Sequence, residues 1–346
     1  TAQAMSDSER RYVMDQTAAL ALRQTEVEDL DLLPKVTLKD VPRDHIYPEP
    51  IVTGPVTAYA AGCNGIVYHQ LIRELPELSE ADWRLLPVLN QVAGELGFGG
   101  QDYVAAQNLQ QSLTGGISAF ASVRASLANV NQAGSFFVLS SRSLARNASK
   151  MMTLLNETSQ GLRFDETARI AELVRQSNTR KQMGVVNQGH SLAMLAASAA
   201  FSKISALNHQ LSGLGSLAFF KGLVAKIEEG DVASLAADLA GLYARFQQAP
   251  QSAMVIADEA RVPELVNALL QRGSLTQSGP AQQLIHAEQT ALETVYVTET
   301  EVNFCAAAYG CPSESSASVA SVQVLAAVLR NQYLHAEIRE KGGAYG

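Results

Sequence analysis

Two side chains near the end of the chain, the guanidinium of Arg339 and the phenol of Tyr345, stand six positions apart across the pair Gly342 and Gly343. Both are hydrogen-bond donors, and two donors that converge suit a carbonyl oxygen or the oxyanion that develops from it. Convergence needs Arg339 in the last turn of a helix, with Gly342 and Gly343 taking left-handed conformations that end the helix and send the chain back beside it. The preceding sequence supplies that helix. Val319, Val322, Leu325, Ala326, Leu329 and Tyr333 recur at helical spacing, and Ser316 or Ser318 is placed to cap the start.

Other chemistries lack their residues. Zinc-activated water needs H-x-x-E-H or H-E-x-x-H on a helix. None of His45, His69, His190, His209, His286 or His335 opens such a motif, so this segment is expected to bind no metal and no cofactor. Cys63, Cys305 and Cys311 lack zinc-ligand spacing and are read as thiols in a reducing compartment, although a Cys305 to Cys311 bridge remains open. The glycine cluster GELGFGGQDY follows a helical pattern and lacks the Lys-Ser/Thr pair of a phosphate loop, which makes it a structural loop. No G-x-S-x-G nucleophile elbow occurs.

Composition sets the remaining bounds. With 47% apolar and 17% charged residues, the 346-residue chain can bury a large core and has room for two domains at about 100 to 200 residues each. A net charge of −8 without a basic run argues against nucleic acid as a partner. No run approaches the roughly 18 to 20 apolar residues of a membrane span, so no membrane partner is expected. There is no signal pattern, and the start at Thr1 suggests a piece of a longer protein. The compartment expected is the cytoplasm.

Along the chain, Ser6 and Glu9 open a long helix, and an acidic, proline-punctuated stretch follows to Pro50. Strands are expected at VTAYAA and GIVYHQLIREL, and a helix from Ser79, capped with Asp82, that must accommodate Pro87. A short helix then leads to two alternating strands around an Asn131 to Gly134 turn. Residues 147–227 read as largely helical, QSAMVIADE as a buried strand, and ALETVYVTETEVNFCAAAYG as strands broken by TETE. Gly273 to Gly279 is a candidate boundary. The succession fits an α+β fold, an antiparallel sheet with helices packed on one side and a helix-rich insert.

The final stretch, YLHAEIREKGGAYG, closely resembles the C-terminal substrate-binding motif of the pitrilysin/insulinase family of zinc metallopeptidases, the inverzincins, above all its presequence-protease branch. The resemblance implies that Arg339 and Tyr345 bind and polarise substrate peptide beside a zinc held by the N-terminal half of the same protein. It implies that residues 1–50 form the helical connector, 51–275 the third peptidase-like domain with its helical region, and 280–346 the beginning of a fourth, whose helix from Ser318 to Ile338 would lack part of its sheet. The expected whole is a zinc metalloendopeptidase that degrades short unstructured peptides, with this segment alone inactive. The alternative is a non-catalytic scaffold or interaction subunit that keeps the fold without the zinc.

Overall fold

Ser6 and Ser79 each stand three residues before a carboxylate, and both pairs close into reciprocal caps. The Ser79 hydroxyl accepts from the Asp82 amide at 3.2 Å while Asp82 accepts from the Ser79 amide at 2.9 Å. Ser6 and Glu9 do the same at 3.4 and 2.8 Å. These caps open helices α1 (Asp7–Thr25) and α2 (Glu80–Val92), and α2 runs unbroken through Pro87. The structure, a computed structural model, describes residues 5–25, 32, 34–35, 37, 39–43, 47–126, 132–276, 282–284, 291, 293–299, 301–310 and 316–344. The chain divides into two units, Thr1–Tyr47, which holds α1, and Pro48–Gly346.

The second unit is built on a sheet of seven strands among the described residues: β1 (Pro50–Thr53), β2 (Val56–Ala60), β3 (Ile66–Glu74), β4 (Ile117–Ala125), β5 (Gln132–Leu144), β6 (Gln251–Ala257) and β7 (Gln282–Leu284). The spatial order is β1-β2-β6-β3-β5-β4, with β7 paired to β5. The fold is α+β, as expected, but the sheet is mixed. β6 enters between β2 and β3 and runs parallel to β2. A parallel neighbour needs a long crossover, and the whole excursion from β3 through the helices supplies it.

Alternation along the strands makes the sheet one-sided. Val67, His69 and Leu71 of β3, Ala133, Ser135, Phe137 and Leu139 of β5, and Ala253, Val255 and Ala257 of β6 are buried. Against this face pack α2, α4 (Ala148–Gln160), α9 (Val232–Gln248) and α10 (Val262–Leu270), which bring residues such as Leu89, Met151, Phe246 and Leu269 into a single apolar cluster. Asp258, just past β6, accepts from the amides of Cys63 and Gly65 at 2.8 Å each and so fixes the turn between β2 and β3.

The small residues of the helical region allow close approach. α5 (Thr167–Asn187), α6 (Gly189–Ser198), α7 (Lys203–Ser212) and α8 (Gly215–Glu228) follow one another through short turns. A Cβ on Gly213 would stand 2.8 Å from Nδ1 of the buried His209. The glycine cluster is structural, as its sequence predicts. A Cβ on Gly97 would lie 2.3 Å from the Gln101 carbonyl oxygen, and the Gly97 amide donates to the Glu166 carboxylate at 2.7 Å. Glu166 also accepts from the Tyr103 amide at the start of α3 (Tyr103–Leu113).

Two expectations are corrected. Gly134 lies inside β5, paired with Arg124, and so is no part of a turn, while Asn131 lies outside the described residues. The described residues of 291–310 carry no strand, although Val295 and Val297 alternate with polar neighbours. Alternation makes a strand only where a neighbouring strand accepts it, and these two valines are 87% and 94% exposed. Instead this segment lies against the helical region. Tyr296 Oη is 3.0 Å from His209 Nε2, and Phe304 sits against Gly189.

Candidate functional site

The helix expected to carry Arg339 forms in two parts, α11 (Ser316–Val328) and a π-helical continuation, Leu329–Lys341. The wider i→i+5 turn appears in the closing bonds: the Gly342 amide donates to the Glu337 carbonyl at 3.0 Å. Arg339 lies in the last part of this segment and is exposed. Beside it, Lys341 pairs with Glu337 at 2.5 Å, and His335 Nδ1 lies 3.3 Å from Glu340. Of the two glycines only Gly343 is left-handed, at φ 67°. Gly342 keeps helical dihedrals and is needed for a different reason, since a Cβ there would stand 2.6 Å from the Ile338 carbonyl oxygen. Ala344 closes back on Ile338, its amide donating at 3.1 Å. Tyr345 lies outside the described residues. Along α11 and its continuation, Val324, Leu325 and Tyr333 are 65%, 53% and 61% exposed.

The second surface is the sheet face turned away from the helices. Register brings Tyr59, Ile256, Tyr68 and Arg142 into one row across β2, β6, β3 and β5, and Met254, Gln70, Ser140 and Ser118 into the next. Tyr68, Ser118, Phe120 and Arg142 on this face are exposed, and Gln70, Ser140, Met254 and Ile256 are half-buried. Hydroxyls, amides and aromatic rings on a broad open face suit contact with an extended chain better than an enclosed small molecule.

The described histidines are dispersed. His69 is buried in β3, with Nδ1 3.1 Å from the Met254 carbonyl, while His209 meets Tyr296 and His190 is exposed. Among the described residues, no group of three or more His, Cys, Asp or Glu side chains is placed to hold a metal ion. Those described residues therefore offer no ligand set that fits a catalytic zinc. Cys63 and Cys305 are free thiols, and Cys311 lies outside the described residues.

Burial sets the charge of His69, lowering its pKa from 6.5 to about 4, aided by Arg272. The unfolded chain takes up this proton below about pH 6.5 whereas the folded chain resists it to about 4, so the contribution is complete above 6.5 and is lost as pH falls through that window. The midpoint of urea unfolding is expected to fall between about pH 7 and about pH 4.5, and His69→Gln should flatten that fall. A slope unchanged by the substitution would place the acid sensitivity in another group.

A second polar site left no mark in the sequence. A cavity of about 480 Å³ is lined by Arg73, Gln160, Gln247, Gln251, Ser274 and Thr276, among others. These residues come from the end of β3, the ends of α4 and α9, the start of β6 and the segment after α10. No spacing rule joins positions that only the sheet order brings together.

Similarity to known proteins extends over nearly the whole chain. The profile of the domain associated with subfamily C of the M16 peptidases matches residues 1–223. The chain is 25% identical to the mitochondrial presequence protease of Yarrowia lipolytica over 354 residues, covering 99% of this chain and 35% of that protein. Its likeness to the mitochondrial presequence protease of Danio rerio is also 25%, over 382 residues, with 99% and 36% covered. A crystal structure described as a peptidase M16 inactive domain from Pseudomonas fluorescens superposes with a TM-score of 0.43 at 18% identity, covering 71% of this chain and 54% of that one. The chain thus spans about a third of the length of the curated relatives it matches. Those relatives are named as mitochondrial, which overturns the cytoplasmic compartment expected from the sequence. The physical reason is that a compartment address is read from a targeting segment, so folded-domain composition does not encode it. Among the described residues, no helix is long and apolar enough to cross a membrane.

Proposed function

The chain belongs to the family of domains associated with subfamily C of the M16 peptidases, and from that premise we propose that it is the substrate-chamber portion of a mitochondrial zinc metalloendopeptidase acting on short unstructured peptides. The observation that carries this reading is the match of nearly the whole chain to about a third of the presequence proteases. On this reading the remaining length of the protein holds the zinc and its activated water. This chain contributes the open sheet face as chamber wall, with residues 1–50 as connector, 51–275 as one peptidase-like domain and 280–346 as the beginning of the next. Arg339 and Tyr345 hold the scissile carbonyl of the peptide, the guanidinium fixing its position and the phenol donating to its oxygen as charge develops there.

The division of labour has a direct test. The 346-residue chain, purified and dialysed, is expected to retain no stoichiometric zinc and to cleave no peptide. The whole protein should hold about one zinc and cleave an unstructured peptide until a chelator removes the metal. Tightly bound zinc with chelator-sensitive activity in the 346-residue chain alone would refute the assignment.

A further inference from the structure

We propose that the cavity at the end of α9 is a binding site for a carboxylate monoanion. Arg73 is its charged wall. Its Nη1 donates to the carbonyls of Phe246, Gln247 and Ala249 at 3.5, 3.2 and 3.3 Å, and its Nη2 to the Ser159 hydroxyl at 3.3 Å. Among the described residues, no carboxylate lies within ion-pair distance of this guanidinium. A half-buried cation without a counterion is costly, and burial accordingly pushes the Arg73 pKa down. The carbonyl end of α9 offsets about half a charge, which leaves a remainder too small for a dianion and suited to a monoanion.

A second feature lies in the wall of the same cavity. Gln251, paired with Arg73 across β6 and β3, is 2% exposed, and its Nε2 has no hydrogen-bond partner. Its Oε1 accepts from the Ser159 hydroxyl at 3.4 Å, and its backbone is tied on both sides to Thr276, which fixes the residue in the cavity wall. An unpaired buried amide is unfavourable unless something accepts from it. One carboxylate can take the remaining Arg73 donors, and Gln251, whose Nε2 is enclosed in the cavity wall, reaches the same anion once its side chain turns outward. Ser274 and Thr276 line the same cavity, whose volume of about 480 Å³ admits a small organic acid or the free end of a peptide. The site lies on the helix-covered side of the sheet and is independent of the peptidase assignment.

The test is calorimetric titration of the full chain, at constant ionic strength, with acetate, inorganic phosphate, trialanine and trialanine amide. Saturable binding of acetate, weaker binding of phosphate, and at least tenfold weaker acetate binding in Arg73→Met are expected. Gln251→Leu should weaken acetate severalfold with little change in thermal stability, since it removes a buried unpaired donor at the cost of one long hydrogen bond from Ser159. Trialanine binding that its amide loses would identify a peptide terminus as a source of the carboxylate. Acetate binding in which trialanine takes no part would identify free organic acids. The site is overturned by parental protein that gives no saturable acetate binding, by phosphate binding more tightly than acetate, or by folded Arg73→Met with parental affinity. Where Arg73→Met does not fold, Gln251→Leu decides, and parental affinity there overturns the site.

Discussion

In the whole, zinc-containing protein, Tyr345→Phe should lower kcat about a hundredfold and leave KM and zinc content nearly unchanged, the loss of one transition-state donor costing on the order of 3 kcal/mol. The substitution removes a single hydroxyl, so any effect on packing is small. The separation of kcat from KM matters most, because a phenol that merely packed against the helix end would affect both parameters little. Arg339→Lys should also damage activity, since a point charge on a flexible stem cannot reproduce a planar fork of donors. Steady-state kinetics on an unstructured peptide, with zinc measured on the same preparations, decide the matter. Parental rates in both variants would reduce Arg339 and Tyr345 to features of the helix end. Gly343 turns the chain in the left-handed region, and Gly342 is held where a side chain would strike the Ile338 carbonyl.

What is legible in the sequence is local, and what is not is non-local. Capping pairs at Ser6 and Ser79 are written within four residues, so the starts of α1 and α2 can be read directly. The glycine cluster can be separated from a phosphate loop by what it lacks, while Glu166, distant in sequence, holds its amides. The parallel pairing of β2 with β6 cannot be read, because an alternating strand pattern is the same in either direction. The converse holds near Val295 and Val297, where alternation suggests a strand and no neighbouring strand pairs with it. At the candidate site, the α-helical spacing from Val319 to Tyr333 is legible, but the change to π-helical bonding from Leu329 is not. That change re-aims every side chain beyond it, Arg339 included. Arg73 and Gln251 are invisible for the simplest reason: each is an ordinary residue at a strand end until the register sets them side by side.

The one-sided sheet leads to the largest expected loss of stability. Phe137 on β5 is 1% exposed, with its ring 5.5 Å from that of Phe246 and 6.0 Å from that of Tyr243. Phe137→Ala should cost about 3 to 5 kcal/mol, as transfer energy is lost and a cavity opens among rings fixed on β5 and α9. Against a total stability of roughly 5 to 15 kcal/mol, that is enough to bring the chain close to unfolding. Phe120 on β4 provides the comparison. It is paired in register with Val138 on the other face and is 39% exposed, so Phe120→Ala should cost less than about 1 kcal/mol. Urea unfolding of the two variants, followed by circular dichroism, measures the difference between the faces. Equal costs would mean that both faces are packed and would remove the open surface on which the chamber assignment depends. If the costs separate as expected, Phe120→Ala becomes a probe of function. A wall that touches substrate before and after the chemical step contributes equally to both states, so the substitution should raise KM in the whole protein and leave kcat in place.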